Sequence, residues 1–188
     1  MMNTLIAKTG LAAGCLLLAG AAMVGETEHN TTPAQVVALD ECDPKTFNLP
    51  GNGGPGFCKN VALGYTGLGY ATTFSKLFTE AASLSPDPKW DFEPDNLTVK
   101  EGTPIIAVNQ GGETHTFTEV ANFGGGFVPP LNGGENAVPE CAQGYSDVAV
   151  ARTRILQGSQ LQVTGLSKGV HHFQCCIHPW MRMTVVVK

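Results

Sequence analysis

Short apolar runs broken by glycine- and proline-bearing turns dominate the second half of the chain. Phe92 to Lys100 followed by Glu101-Gly102-Thr103-Pro104 predicts a strand and a tight turn, and Ile105 to Asn109 predicts the next strand. Thr114 to Val120, Asp147 to Arg152, Gln160 to Thr164, Val170 to Cys176 and Thr184 to Val187 continue the series. Short strands at such spacing predict an all-β fold, a Greek-key β-sandwich. The stretch from Glu26 to Lys89 reads differently, as mostly loop with one helix over Thr73 to Leu84. There Phe74, Leu77, Phe78, Ala81 and Leu84 fall at helical spacing and Pro86-Asp87-Pro88 stops the run. The expected organisation is residues 1–22 as a signal peptide, 23–89 as a partly helical N-terminal extension too poor in apolar residues to fold alone, and 90–188 as the sandwich domain.

The signal-peptide reading rests on Lys8, the apolar run Leu11 to Val24 and the small residues Ala19 to Ala22, which favour cleavage near Ala21 or Ala22 and release into the periplasm or medium. A lipid anchor at Cys15 and a retained apolar anchor are the rival readings; the apolar run is short for spanning a bilayer, so no stable membrane insertion is expected. The 188 residues carry a net charge of -5 and no basic cluster, which argues against nucleic acid or an anionic membrane as partner.

The chemistry is concentrated near the C-terminus, in Phe173-Gln174-Cys175-Cys176-Ile177-His178-Pro179-Trp180-Met181. A thiolate, an imidazole and a thioether within seven residues make a soft-ligand set that favours copper over oxygen-seeking magnesium, calcium or manganese. A second imidazole is available in His115, which follows the Gly111-Gly112 turn and opens an alternating strand. The segment Gly169 to Arg182 resembles the copper loop of the cupredoxins, and its Cys-x-x-His-x-x-Met spacing is similar to amicyanin-like members. The likeness covers roughly Trp90 to Lys188. It implies a cupredoxin sandwich holding one type 1 copper ion through His115, Cys175 and His178, with Met181 as a weak axial ligand, the His₂Cys arrangement of blue-copper electron-transfer sites. Met183 would give the longer loop of plastocyanin-like members and stays open as the axial alternative. Two positions depart from the family pattern: Thr116 stands where many members have Asn, and Cys176 where they have Ser or Thr. Asn109 is a candidate for the missing hydrogen bond to the site.

Cysteine parity fits this assignment. If Cys15 leaves with the signal, Cys42, Cys58, Cys141, Cys175 and Cys176 remain, and an odd count in an exported chain asks for one thiol outside disulfides. Strand alternation turns Cys175 to the same side as Phe173, inward, and Cys176 to the other. The simplest pairing is then Cys42 with Cys58 and Cys141 with Cys176, the second tying the segment Ala121 to Tyr145 beside the metal.

The resulting expectation is an exported monomer that carries single electrons and is not an enzyme, with a redox protein docking near the exposed edge of His178 and near Trp180. The alternative is a periplasmic copper-binding or delivery protein of the same fold. With His29, His115, His171, His172 and His178 as its five histidines, the chain has too few to build a second, multinuclear copper centre. His171 and His172 face opposite ways on a strand and read as ordinary positions, His29 as exposed, and Glu113 as a solvated acid in a glycine-rich turn.

Overall fold

The computed structural model describes residues 32–59, 71–83 and 86–188. The signal peptide, Cys15, His29 and Leu84 lie outside the described residues. In chain order the elements are β1 (Ala34–Leu39), α1 (Pro44–Phe47), α2 (Phe74–Ala82), β2 (Asp91–Glu93), β3 (Asn96–Val99), β4 (Ile105–Asn109), β5 (His115–Thr116), β6 (Thr118–Val120), a 3-10 turn (Pro129–Leu131), α3 (Val148–Arg152), β7 (Arg154–Ile155), β8 (Gln160–Val163), β9 (Gly169–Gln174) and β10 (Arg182–Val187).

Two four-stranded sheets, ordered β2-β1-β4-β8 and β3-β10-β9-β6, form the sandwich, with a small β5-β7 pair at one end. Alternation along the strands sends Val36, Ala38, Phe92, Ile105 and Ala107 from one sheet and Phe173, Met183, Val185 and Val187 from the other into a common core. Phe117 stacks on Phe173 with ring centroids 4.4 Å apart and meets Phe92 edge-on at 5.3 Å, so three rings join the layers. Among the described residues no helix is long and apolar enough to cross a membrane.

Three features differ from the sequence reading. The first is β1, in the stretch read as mostly loop: it is an inner strand, antiparallel to β2 and parallel to β4. The boundary drawn at Trp90 therefore does not separate the sandwich from what precedes it, and Cys42, Phe47, Cys58, Leu77 and Ala81 belong to the same core. The run Val36 to Leu39 becomes a strand because it has a partner on each side, which local pattern does not reveal. The second is Asp147 to Arg152, expected as a strand. It is helical, because the Asp147 carboxylate accepts from Ala149 N at 2.8 Å and Val150 N at 3.3 Å and so caps the turn. The third is the division of two expected strands. The 92–100 run breaks at Pro94-Asp95 so that β2 and β3 serve opposite sheets, and the 114–120 run breaks at Phe117, whose N–H donates to Thr153 O. Helix α2 forms where its periodicity indicates, capped by Thr73, whose hydroxyl accepts from Lys76 N.

Both expected disulfides are present, Cys42–Cys58 and Cys141–Cys176, and Cys175 is the free thiol among the described residues. The second bridge and the Phe127 N to Cys176 O hydrogen bond hold the 121–145 segment against the C-terminal loop. Gly126 permits this approach, since a Cβ there would lie 2.0 Å from Cys176 O.

Candidate metal centre

At the β5-β7 end of the sandwich, β5 supplies His115, the exit from β9 supplies Cys175 and the following turn supplies His178. That turn is closed by Met181 N donating to His178 O at 3.0 Å and by Cys175 N donating to Met181 O at 3.1 Å. One ligand atom from each of His115, Cys175 and His178 lies within 4.8 Å of the others, the one such group of His, Cys, Asp and Glu among the described residues. Both imidazoles turn Nδ1 toward the thiol, each 3.9 Å from Cys175 Sγ.

The β9-β10 register locates the two methionines. Arg182 pairs with Gln174 and Met183 with Phe173, so Met181 stands opposite Cys175, on the same face, while Met183 lies one alternate pair further into the sandwich among the core side chains. Met181 is fully buried.

A layer of hydrogen bonds surrounds the three side chains. Thr116 N–H points at Cys175 Sγ from 3.4 Å, and the Thr116 hydroxyl accepts from Cys176 N at 2.7 Å, so Thr116 braces both sides of the cysteine. Asn109 does not reach the sulfur. Its side chain instead donates to Glu113 O and Ile155 O and accepts from Gly111 N, which shapes the turn before His115. On the outer side of His115, Nε2 meets Asp40 Oδ2 at 2.8 Å; on the outer side of His178, Nε2 lies 3.4 Å from Glu113 Oε2, which also accepts from Trp90 Nε1 at 2.8 Å.

Two expectations about this region are corrected. Glu113 is not a solvated acid: it is 2% exposed, drawn inward by Trp90 and His178. His178 presents no exposed edge either, being 1% exposed beneath Glu113 and the rings of Trp90 and Trp180, whose centroids lie 6.1 and 5.6 Å from its own. Trp180 is only partly buried and reaches the surface. His171 and His172 are strand residues as expected, the first bonded to Glu119 and Ser167 O, the second against the Phe123 ring. The roles of Asp40 and Trp90 are not visible in the sequence, where a single acid ending an apolar run carries no local signal of such a contact.

The electrostatics follow from burial and contact. Burial pushes the Cys175 thiol up, but its hydrogen bonds with His115 and His178 and their charges outweigh this and leave it well below the usual thiol range. Burial works against a charged His115, yet the Asp40 hydrogen bond and the Cys175 contact raise it to about 10. Cys175 is thus poised as a thiolate, and a metal binding at His115 Nδ1 would displace the proton that the imidazole otherwise holds.

Together these residues form a buried group of two imidazoles and one thiol that could hold a metal ion, at one end of an all-β sandwich. No family model and no curated protein matches the chain. Among solved structures, those similar to it include a purple cupredoxin from Nitrosopumilus maritimus, at 14% identity over 82% of this chain and 99% of that one, with a TM-score of 0.41. Two amicyanin variants are also similar. One, in the reduced state, is 22% identical over 51% of this chain and 71% of its own, with a TM-score of 0.33. The other, in the Cu(I) form, is 20% identical over 57% and 89%, with a TM-score of 0.35.

Proposed function

We propose that this chain is an exported, monomeric cupredoxin-type protein that carries single electrons between redox partners through one copper ion held by His115, Cys175 and His178, with Met181 as weak axial ligand. The observation that carries the reading is the convergence of two Nδ1 atoms on one free thiol, each at 3.9 Å. One soft sulfur and two imidazole nitrogens fit copper. Met181 is favoured over Met183 because it stands opposite Cys175 in the strand register. When bound, copper supplies one-electron exchange between its Cu(II) and Cu(I) states.

The protein's part is to hold the ligands still. Thr116 N–H fixes the sulfur, Asp40 holds the outer nitrogen of His115, Glu113 lies 3.4 Å from that of His178, and the Cys141–Cys176 bridge clamps the loop. Burial of all three ligands favours a retained ion over a delivery role, which needs metal to leave easily. Two disulfides accord with an oxidising compartment. With His178 covered, Trp180 is the aromatic surface nearest a ligand, and a redox partner docks there.

Adding one equivalent of Cu(II) to the metal-free protein tests the reading. An intense thiolate-to-copper absorption in the visible that vanishes in Cys175→Ser is expected; no such band in the wild type, or its persistence in the variant, overturns the assignment. A change of potential in Met181→Leu but not in Met183→Leu is expected for the axial ligand.

A further inference from the structure

The N-terminal segment places a carboxylate on the outer side of one ligand. Strand β1 runs parallel to β4 with Ala38 beside Asn109, and Gln110 N donates to Ala38 O at 2.9 Å, so Asp40 arrives next to the Gly111-Gly112 turn. Its Oδ1 accepts from Gly112 N at 2.9 Å and Cys42 N at 3.2 Å, and its Oδ2 accepts from Glu113 N at 2.9 Å. Gly111 leaves the room for this, since a Cβ there would sit 2.0 Å from Asp40 Oδ2. The fourth contact is His115 Nε2 at 2.8 Å. With three backbone N–H groups already directed at it, Asp40 is an acceptor on both oxygens, so in this contact Nε2–H donates. The Nδ1 lone pair of His115 is thereby left for a metal.

We propose that Asp40 is a positioning residue for the metal centre: it fixes His115 in the Nε2–H tautomer, increases the donor strength of Nδ1 and biases the site toward Cu(II). This rests on the copper reading above. An imidazole hydrogen-bonded to a carboxylate is the more basic ligand, and loss of such an outer partner costs roughly 10- to 100-fold in metal affinity. Charge acts in the same direction. A thiolate with Cu(I) is neutral and with Cu(II) carries one positive charge, which a buried anion across the imidazole stabilises. The segment before Trp90 therefore has a role at the site: it delivers the side chain that sets which oxidation state the pocket prefers.

The test compares wild-type protein, Asp40→Asn and the exposed control Glu101→Gln, each loaded with copper, by visible absorption, by Cu(II) and Cu(I) affinity and by reduction potential. In Asp40→Asn the thiolate-to-copper band persists, Cu(II) affinity falls roughly 10- to 100-fold with a smaller change for Cu(I), and the potential rises, while Glu101→Gln changes little. An unchanged potential in Asp40→Asn, or an equal shift in Glu101→Gln, overturns the proposal. Should Asp40→Asn not fold, nitrogen-15 spectra of the wild-type protein loaded with Zn(II) decide. An exchange-protected His115 Nε2–H supports the assignment and an unprotonated Nε2 overturns it. Absence of the thiolate-to-copper band in the wild type would instead remove the copper reading beneath the proposal, and it is visible before any potential is measured.

Discussion

His115 and His178 face the same sulfur at the same distance from equally buried positions, yet their outer sides are built differently. Asp40 behind His115 has four N–H donors, and although burial pushes its carboxyl up, the His115 hydrogen bond and charge with the Glu113 and Gly112 N–H groups hold it below the usual carboxylate range. Glu113 behind His178 has the Trp90 indole and a longer contact to the imidazole. There burial dominates, the Asp40 charge adds to it, and the carboxyl rises to about 7. Burial alone does not set the charge of a buried acid; the number of donors aimed at it does.

Removing the support of the Asp40 side has the largest expected effect. Cys42→Ala with Cys58→Ala opens a bridge of sequence separation 16, which corresponds to about 3 kcal/mol of stability. Because Cys42 N is one of the Asp40 donors, Cu(II) binding weakens as well. Denaturant unfolding and copper titration check both. If stability falls while Cu(II) affinity is untouched, the bridge and the His115 side are independent.

On the Glu113 side the metal-free protein should show a distinct pH dependence. Glu113 is raised from 4.5 to about 7, so the folded state holds this proton more tightly than the unfolded chain and stability falls as pH climbs through that window. Glu113→Gln removes the fall, with a relative gain on the order of 3 kcal/mol near pH 8 and little difference below pH 4.5. Unfolding curves at several pH values measure it; parallel pH profiles for wild type and variant would place Glu113 with Asp40 as a fixed anion.

Trp90→Phe sharpens the same contrast at smaller scale. It deletes one donor to Glu113 while keeping an apolar ring, costs about 1 kcal/mol and moves the Glu113 transition further upward. A transition that stays in place would mean the indole does not hold the carboxylate.

The local parts of this centre were legible in the sequence. Cys175, His178 and Met181 fall within seven residues, and parity with strand alternation indicated both disulfides and the free thiol. His115 was legible as a histidine opening a strand after a glycine turn. What was not legible depends on distant partners. Strand β1 is a strand because β2 and β4 flank it, and Asp40 matters because β1 carries it to the Gly111-Gly112 turn. Glu113 looked solvated because Trp90, 23 positions earlier, is invisible as its partner. At Asp147 to Arg152, the apolar alternation points to a strand, whereas the Asp147 cap decides for helix.

The proposed arrangement is one sulfur and two imidazoles, from Cys175, His115 and His178, around a single copper. X-ray absorption at the copper edge of the stoichiometrically loaded protein tests it most directly. One short sulfur and two nitrogen scatterers are expected, with the sulfur lost in Cys175→Ser; a first shell of nitrogen and oxygen alone in the wild type overturns the assignment.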